Sequence, residues 1–171
     1  MVKRTPDRLP PAPGSAEIYT LAEEETFAYG EALGRSLKGG ELILLQGELG
    51  AGKTVFARGI AAGLEIDPAN VGSPTFILMD RYEGRLTLYH ADLYRLDSED
   101  DMFDLALDEF AATGAVVVVE WGERLGDLAP GELLEIVMTF AGDDERAIEF
   151  VAYGERFQAL IEELKRAYSS N

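Results

Sequence analysis

The chain has 171 residues, 47% of them hydrophobic and 27% charged, the size and balance of one globular domain with a single sizeable core. Thirty-two acidic residues against 15 basic ones leave a formal charge of −17, which disfavours direct, tight binding to nucleic acid or to an anionic membrane. No apolar run approaches the ~20 residues of a membrane span, and the absence of cysteine excludes a disulfide framework, a thiolate metal site and a thiol nucleophile.

The acidity either serves solubility or points to protein partners, basic ones included. The opening segment carries Lys3, Arg4 and Arg8, then runs into Pro10, Pro11, Pro13 and Gly14. It lacks the apolar middle of a secretory signal and reads as a flexible tail, residues 1–15, ahead of one domain, residues 16–171. A cytoplasmic protein is the expectation.

Thr20-Leu21-Ala22-Glu23 has the form of a capping box and leads into a helix over Leu21 to Leu37, with Phe27, Leu33 and Leu37 near one face. Lys38-Gly39-Gly40 ends it. Glu41 to Gln46 is a short apolar run, as expected for a strand buried on both faces. A glycine-rich turn follows, then a helix from about Lys53 to Gly63. Phe76 to Tyr82 and Arg85 to Ala91 read as two strands joined at Glu83-Gly84. Ser98 caps a helix running to about Ala112, with Met102, Leu105, Leu107 and Phe110 toward the core. Ala115 to Glu120 is the second buried strand. Glu132 to Phe140 and Arg146 to Tyr153 form an antiparallel pair across Gly142-Asp143, and Glu155 to Ala167 closes the chain as a helix. Buried strands separated by helices, with hairpins added, predict an α/β fold whose mixed, mainly parallel sheet is flanked by helices.

The turn after the first buried strand reads Gly47-Glu48-Leu49-Gly50-Ala51-Gly52-Lys53-Thr54, matching the P-loop pattern G-x-x-x-x-G-K-[ST] in its required place between strand and helix. Glycines let backbone N–H groups turn inward around phosphates, and the helix N-terminus adds partial positive charge. Lys53 reaches the β- and γ-phosphates and the Thr54 hydroxyl ligates Mg²⁺. The nucleotide cradle therefore reads as Gly47, Gly50, Ala51, Gly52, Lys53, Thr54 and Val55. Such a loop needs a carboxylate at a neighbouring strand end to hold the metal and its water. Glu120 ends AVVVV and is the first candidate, with a solvated edge residue as the alternative; Asp92, ending TLYHAD, is the second. If both strands run parallel beside ELILLQ, their ends converge on the phosphate crevice.

Ser73-Pro74-Thr75 either senses a γ-phosphate through its hydroxyls, with Thr75 as the contact, or only initiates a strand. His90, the sole histidine, shares a strand face with Asp92 and reads as a packed residue, or one backing a ligand, rather than a catalytic base. Trp121, the sole tryptophan, follows Glu120, and Arg95 and Arg146 are candidate phosphate or base contacts.

GELGAGKT, SPTF, HADLYRL and VEW, in this order and spacing, resemble the TsaE family of bacterial ATPases of tRNA threonylcarbamoyladenosine biosynthesis, from about Thr20 to Gly154. The resemblance implies a P-loop α/β fold of the NTPase type, slow hydrolysis of ATP to ADP with Mg²⁺, and work with two partner proteins, TsaB and TsaD. Those partners carry out the transfer to adenosine 37 of tRNA, so tRNA is met only indirectly. Carried over by position, Thr54 and Glu120 are implied as Mg²⁺ ligands, with Asp92 in the metal–water network. Lys53, Asp92 and Glu120 become the catalytic set, Ser73 to Phe76 a switch-like segment, and Trp121 and Arg146 neighbours of the nucleotide. One departure is Gly122, where the family often has proline after the tryptophan.

Two other functions fit a P-loop. A small-molecule kinase needs a lid of arginines, and the stretch between the P-loop helix and Glu120 offers only Arg81, Arg85 and Arg95. A nucleotide-dependent interaction module with little hydrolysis is the other. A GTPase is disfavoured, because the only lysines are Lys3, Lys38, Lys53 and Lys165 and no N-K-x-D motif occurs.

Overall fold

The structure, a computed structural model, describes residues 14–74 and 78–169. In chain order the elements are β1 (Ser15–Thr20), α1 (Glu23–Ser36), β2 (Leu42–Gln46), α2 (Lys53–Gly63), β3 (Met79–Glu83), β4 (Thr87–Asp92), α3 (Glu99–Asp104), α4 (Leu107–Ala112), β5 (Val116–Glu120), β6 (Leu133–Phe140), β7 (Arg146–Tyr153) and α5 (Glu155–Ser169). Short 3₁₀ segments occupy Pro68–Asn70 and Gly122–Leu128. No helix among the described residues is long and apolar enough to cross a membrane.

A strand with no polar alternation is stable only where both faces are covered, and the two most apolar strands lie at the centre of the sheet accordingly. β2 pairs in parallel with β5 on one side and β6 on the other, and β4 lies parallel beyond β5. The antiparallel strands β7, β1 and β3 are added at the margins, giving the order β1-β7-β6-β2-β5-β4-β3. Ile43, Leu45, Val116 and Val118 face a core closed by α1, α2 and α5. Leu42, Leu44, Val117 and Val119 face the opposite core, covered by α3, α4 and the 3₁₀ segment after β5. Because β5 and β6 flank β2, the chain reverses its strand order there and leaves a crevice beyond the carboxyl end of β2.

Three elements differ from the sequence reading. β1 was not anticipated: SAEIYT pairs with β7 along its whole length, beginning at Ser15 inside the segment read as tail. Thr20 is no N-cap. It ends β1 fully buried, its Oγ1 bonded to Thr26 Oγ1 at 2.8 Å, while Ala22 caps α1 without a side-chain bond and Glu25 Oε2 accepts the Leu21 N–H at 2.7 Å. The helix expected from Ser98 to Ala112 is broken at Ala106, whose φ is +50°. Residues two apart point about 200° apart on a continuous helix, yet Leu105 and Leu107 both pack on the same core, which the break makes possible. Ser98 does cap the first piece, accepting the Asp101 N–H at 3.1 Å. Of the expected strand from Phe76, the first two residues lie outside the described chain.

Two glycine pairs set the approach of α1 to α2. A Cβ at Gly30 or Gly34 would sit well under 3.0 Å from the carbonyl oxygens of Phe56 and Ile60, and one at Gly59 or Gly63 would meet those of Phe27 and Glu31. The two backbones are in contact with no side chain between them, so α2, which begins at Lys53, is fixed against the rest of the fold. Replacing a helical glycine by alanine in an open position stabilises by up to about 1 kcal/mol. Here Gly59→Ala is expected to destabilise by about 1–3 kcal/mol, as overpacking does, read as a lower urea midpoint; an unchanged or raised midpoint refutes the seam.

Candidate functional site

The chain leaves β2 at Gln46 and turns through Gly47 to Gly52 into the N-terminus of α2. Gly52 caps the helix in the left-handed region at φ +102°, and a Cβ at Gly47 would lie 2.5 Å from the Met138 carbonyl oxygen of β6. Bare backbone thus lines the crevice, ahead of a helix end that attracts anions.

Beside this turn an oxygen-rich cluster has formed. The β2–β5 register sets Leu45 opposite Glu120, and Thr54 Oγ1, one residue into α2, donates to Glu120 Oε1 at 2.7 Å. β4 lies one strand further out, next to β5 rather than to β2, but Asp92 is level with Glu120 in their register. Ser73 Oγ donates to Asp92 Oδ2 at 2.9 Å and lies 3.3 Å from Glu120 Oε2. The Tyr94 N–H bonds Asp92 Oδ1 at 2.8 Å. Both carboxylates are 2% exposed, and His90 on the same face of β4 is fully buried, with Nε2 3.8 Å from Glu120 Oε2. Two carboxylates and two hydroxyls are hard oxygen donors that suit Mg²⁺, an ion that keeps several waters and needs only one or two carboxylates. Among the described residues no group of three or more His, Cys, Asp or Glu forms a self-sufficient metal cage.

Lys53 folds back onto the loop: Nζ donates to the Gly47 carbonyl and, at 2.9 Å, to that of Glu48. It also sits 4.1 Å from the centroid of the Trp121 ring. Trp121 is in the left-handed region at φ +58°, a conformation that large residues seldom adopt outside functional corners. Its ring rests on Tyr94, 4.9 Å away. The next residue, Gly122, approaches Leu44 so closely that a Cβ would meet that of Leu44 at 2.6 Å. A proline at this position would not fit this corner as it is built.

Burial lowers the Lys53 ammonium below its ordinary range, against the opposing pull of Glu120, Glu123 and Asp92. Burial alone would raise the Glu120 carboxyl. His90, then the hydrogen bonds from Thr54 and Ser73, outweigh it and hold the group below its usual value.

The structure brings together Lys53, Thr54, Asp92, Glu120 and Trp121, with Ser73 joining the carboxylates. Thr75, and Phe76 of the same switch-like segment, lie outside the described residues. Gly50, Ala51, Gly52 and Val55 line a cavity of about 110 Å³ on the β7 side, together with Glu23, Thr26, Asp144 and Arg146. Arg146 braces the loop: its guanidinium donates to the carbonyls of Ala51 (3.1 Å) and Gly50 (3.2 Å) and stacks over Phe140. Tyr94 and Glu123 were missed in the sequence. An aspartate accepting the N–H two residues on is an Asx-turn, so Asp92-Leu93-Tyr94 carried a readable signal. Glu123, which faces Lys53, looks like any acidic loop residue.

The family model described as "Threonylcarbamoyl adenosine biosynthesis protein TsaE" matches residues 20–148. The tRNA threonylcarbamoyladenosine biosynthesis protein TsaE of Bacillus subtilis (strain 168) is 45% identical over 148 residues, 86% of this chain and 92% of its own. The protein of the same name from Treponema pallidum (strain Nichols) is 43% identical over 125 residues, 73% of this chain and 92% of its own. The crystal structure of Bacillus subtilis YdiB superposes with a TM-score of 0.76 at 38% identity, covering 90% of this chain and 95% of that one.

A carboxyl whose pKa is lowered on folding adds stability that is complete above its unfolded value, near 4.5 for glutamate, and is lost as pH falls through the lower folded value. The unmodified protein is therefore expected to lose stability below about pH 5 more steeply than Glu120→Gln does. Urea unfolding across that range measures it, and parallel slopes would overturn the assignment.

Proposed function

The chain belongs to the TsaE family, and from that premise we propose that it is an ATP-binding, ATP-hydrolysing component of the machinery that forms N6-threonylcarbamoyladenosine at position 37 of tRNA. In this reading it supports turnover of a TsaB–TsaD complex, which performs the transfer, and it meets tRNA only through that complex. The role implies a cytoplasmic protein. The observation that carries the reading is the 2.7 Å bond from Thr54 to Glu120 at the mouth of the P-loop, with Asp92 level beside it.

The chemistry assigned to each residue follows from its position. The backbone of Gly47 to Gly52 and the first turn of α2 bind the phosphates. Lys53 exchanges the carbonyls of Gly47 and Glu48 for phosphate oxygens, one set of acceptors for another. Thr54 and Glu120, with Asp92 behind them, are the ligands proposed for Mg²⁺, whose contribution when bound is to neutralise charge on the β- and γ-phosphates. The Asp92 and Glu120 carboxylates are also the acceptors available to orient an attacking water. The small cavity beside Val55 and Arg146, on the β7 side of the loop, borders this phosphate cradle.

A small-molecule kinase has less support. Arg81 pairs with Glu83 and Arg85 donates to the Gly34 carbonyl at the end of α1, so neither serves a transferred phosphoryl group. The interaction module with little hydrolysis is separated from the main reading by turnover alone. Thr54→Ala and Glu120→Ala are each expected to lower Mg²⁺-dependent ATP hydrolysis about a hundredfold or more, with circular dichroism unchanged; retained hydrolysis refutes the ligand assignment. ATP turnover is expected to rise when TsaB, TsaD and tRNA are added, and raised salt is expected to weaken docking of so acidic a chain. No stimulation, with normal tRNA modification when the protein is left out, overturns the role.

A further inference from the structure

His90 is the most deeply buried ionisable group at the site, fully enclosed on β4, and among the described residues neither of its ring nitrogens has a hydrogen-bond partner. Buried polar groups are nearly always paired, and leaving one unpaired costs about 1–3 kcal/mol. An apolar residue of similar size would fill the space without that cost, so packing alone is a poor reason for an imidazole here. The nearest complementary atom is Glu120 Oε2, at 3.8 Å.

That oxygen has only a long bond, from Ser73. Thr54 serves Oε1 at 2.7 Å. Ser73 has one hydroxyl proton and two acceptors within reach, Asp92 Oδ2 at 2.9 Å and Glu120 Oε2 at 3.3 Å, and the shorter bond goes to Asp92. Glu120 Oε2 therefore has acceptor capacity to spare where His90 Nε2 has a donor to offer. The other carboxylate in register with His90, Asp80 on β3, already accepts the Tyr82 hydroxyl at 3.0 Å. A carboxylate only accepts, which puts the imidazole proton on Nε2 and leaves Nδ1 bare.

We propose that His90 is a positioning residue for Glu120: its Nε2–H takes Oε2 from behind, fixing the carboxylate plane so that Oε1 stays directed to Thr54 and the metal. The inference rests on the Mg²⁺-nucleotide reading above. Groups that orient metal-binding carboxylates from behind change metal affinity about 10–100-fold when removed.

The chain has one histidine and one tryptophan, so both reporters need no assignment. In the unmodified protein labelled with ¹⁵N-histidine, adding Mg²⁺ and ADP is expected to turn the Nε2 proton into a slowly exchanging, hydrogen-bonded one, with Nδ1 unprotonated throughout. ADP affinity is then followed by Trp121 fluorescence, with Mg²⁺ or with EDTA. His90→Asn, whose amide cannot reach the Nε2 position, is expected to weaken ADP binding about tenfold with Mg²⁺ and to leave it unchanged in EDTA. His90→Gln, whose amide nitrogen falls close to Nε2, is expected to restore affinity to within about threefold. Imidazole signals that do not respond to loading overturn the proposal, even if a variant misfolds. So does an Asn variant that matches the unmodified protein or loses affinity equally in EDTA. If the unmodified protein itself shows no Mg²⁺-dependent ADP binding, the functional reading fails and this inference falls with it.

Discussion

The parallel pairing of β2 with β5 is the constraint on which the site depends. Its register sets Leu45 opposite Glu120, so the one charged residue of an otherwise apolar strand is held at the level where β2 gives way to the P-loop. Shifted by one residue, the carboxylate would point to the opposite face of the sheet, out of reach of Thr54. The register is secured by the two cores, because Leu42 and Leu44 must face one side and Ile43 and Leu45 the other. Hydrophobic alternation along buried strands therefore does electrostatic positioning: it carries a 2%-exposed carboxylate to the one place where hydroxyls and a histidine can offset its burial.

The sequence made the centre of this arrangement legible and the margins much less so. β2, α2 and β5 are short, strongly apolar or bounded by glycines, and the structure sets α2 at Lys53–Gly63 as the spacing predicted. Glu120 and Asp92 were readable because a carboxylate ending a buried strand has few reasons to be there. β1 was hidden because SAEIYT alternates weakly and sits against a proline-rich segment; its pairing with β7 is a long-range event that no local pattern announces. Thr20 suggested a cap through its spacing to Glu23, but the demand of a buried hydroxyl for Thr26 won over that local motif. The fold of Lys53 onto loop carbonyls and onto Trp121 was equally invisible, since it depends on a left-handed turn at Trp121.

The acidity of the chain, −17 in formal charge, bears most directly on Lys53. The surrounding carboxylates Asp92, Glu120 and Glu123 favour its charged form, while burial works against it. Any attraction the turn offers to a phosphate would be local, built from one ammonium, oriented backbone N–H groups and a helix end.

The glycine seam between α1 and α2 has a mechanical consequence. With backbone against backbone and no side chain to change rotamer, these two helices cannot slide or rock without breaking contact, so the helix carrying Lys53 and Thr54 is held firmly against α1. The loop that carries Ser73 is tied to that same helix by the bond from Arg58 to the Val71 carbonyl, while Trp121 stands on an unusual backbone turn.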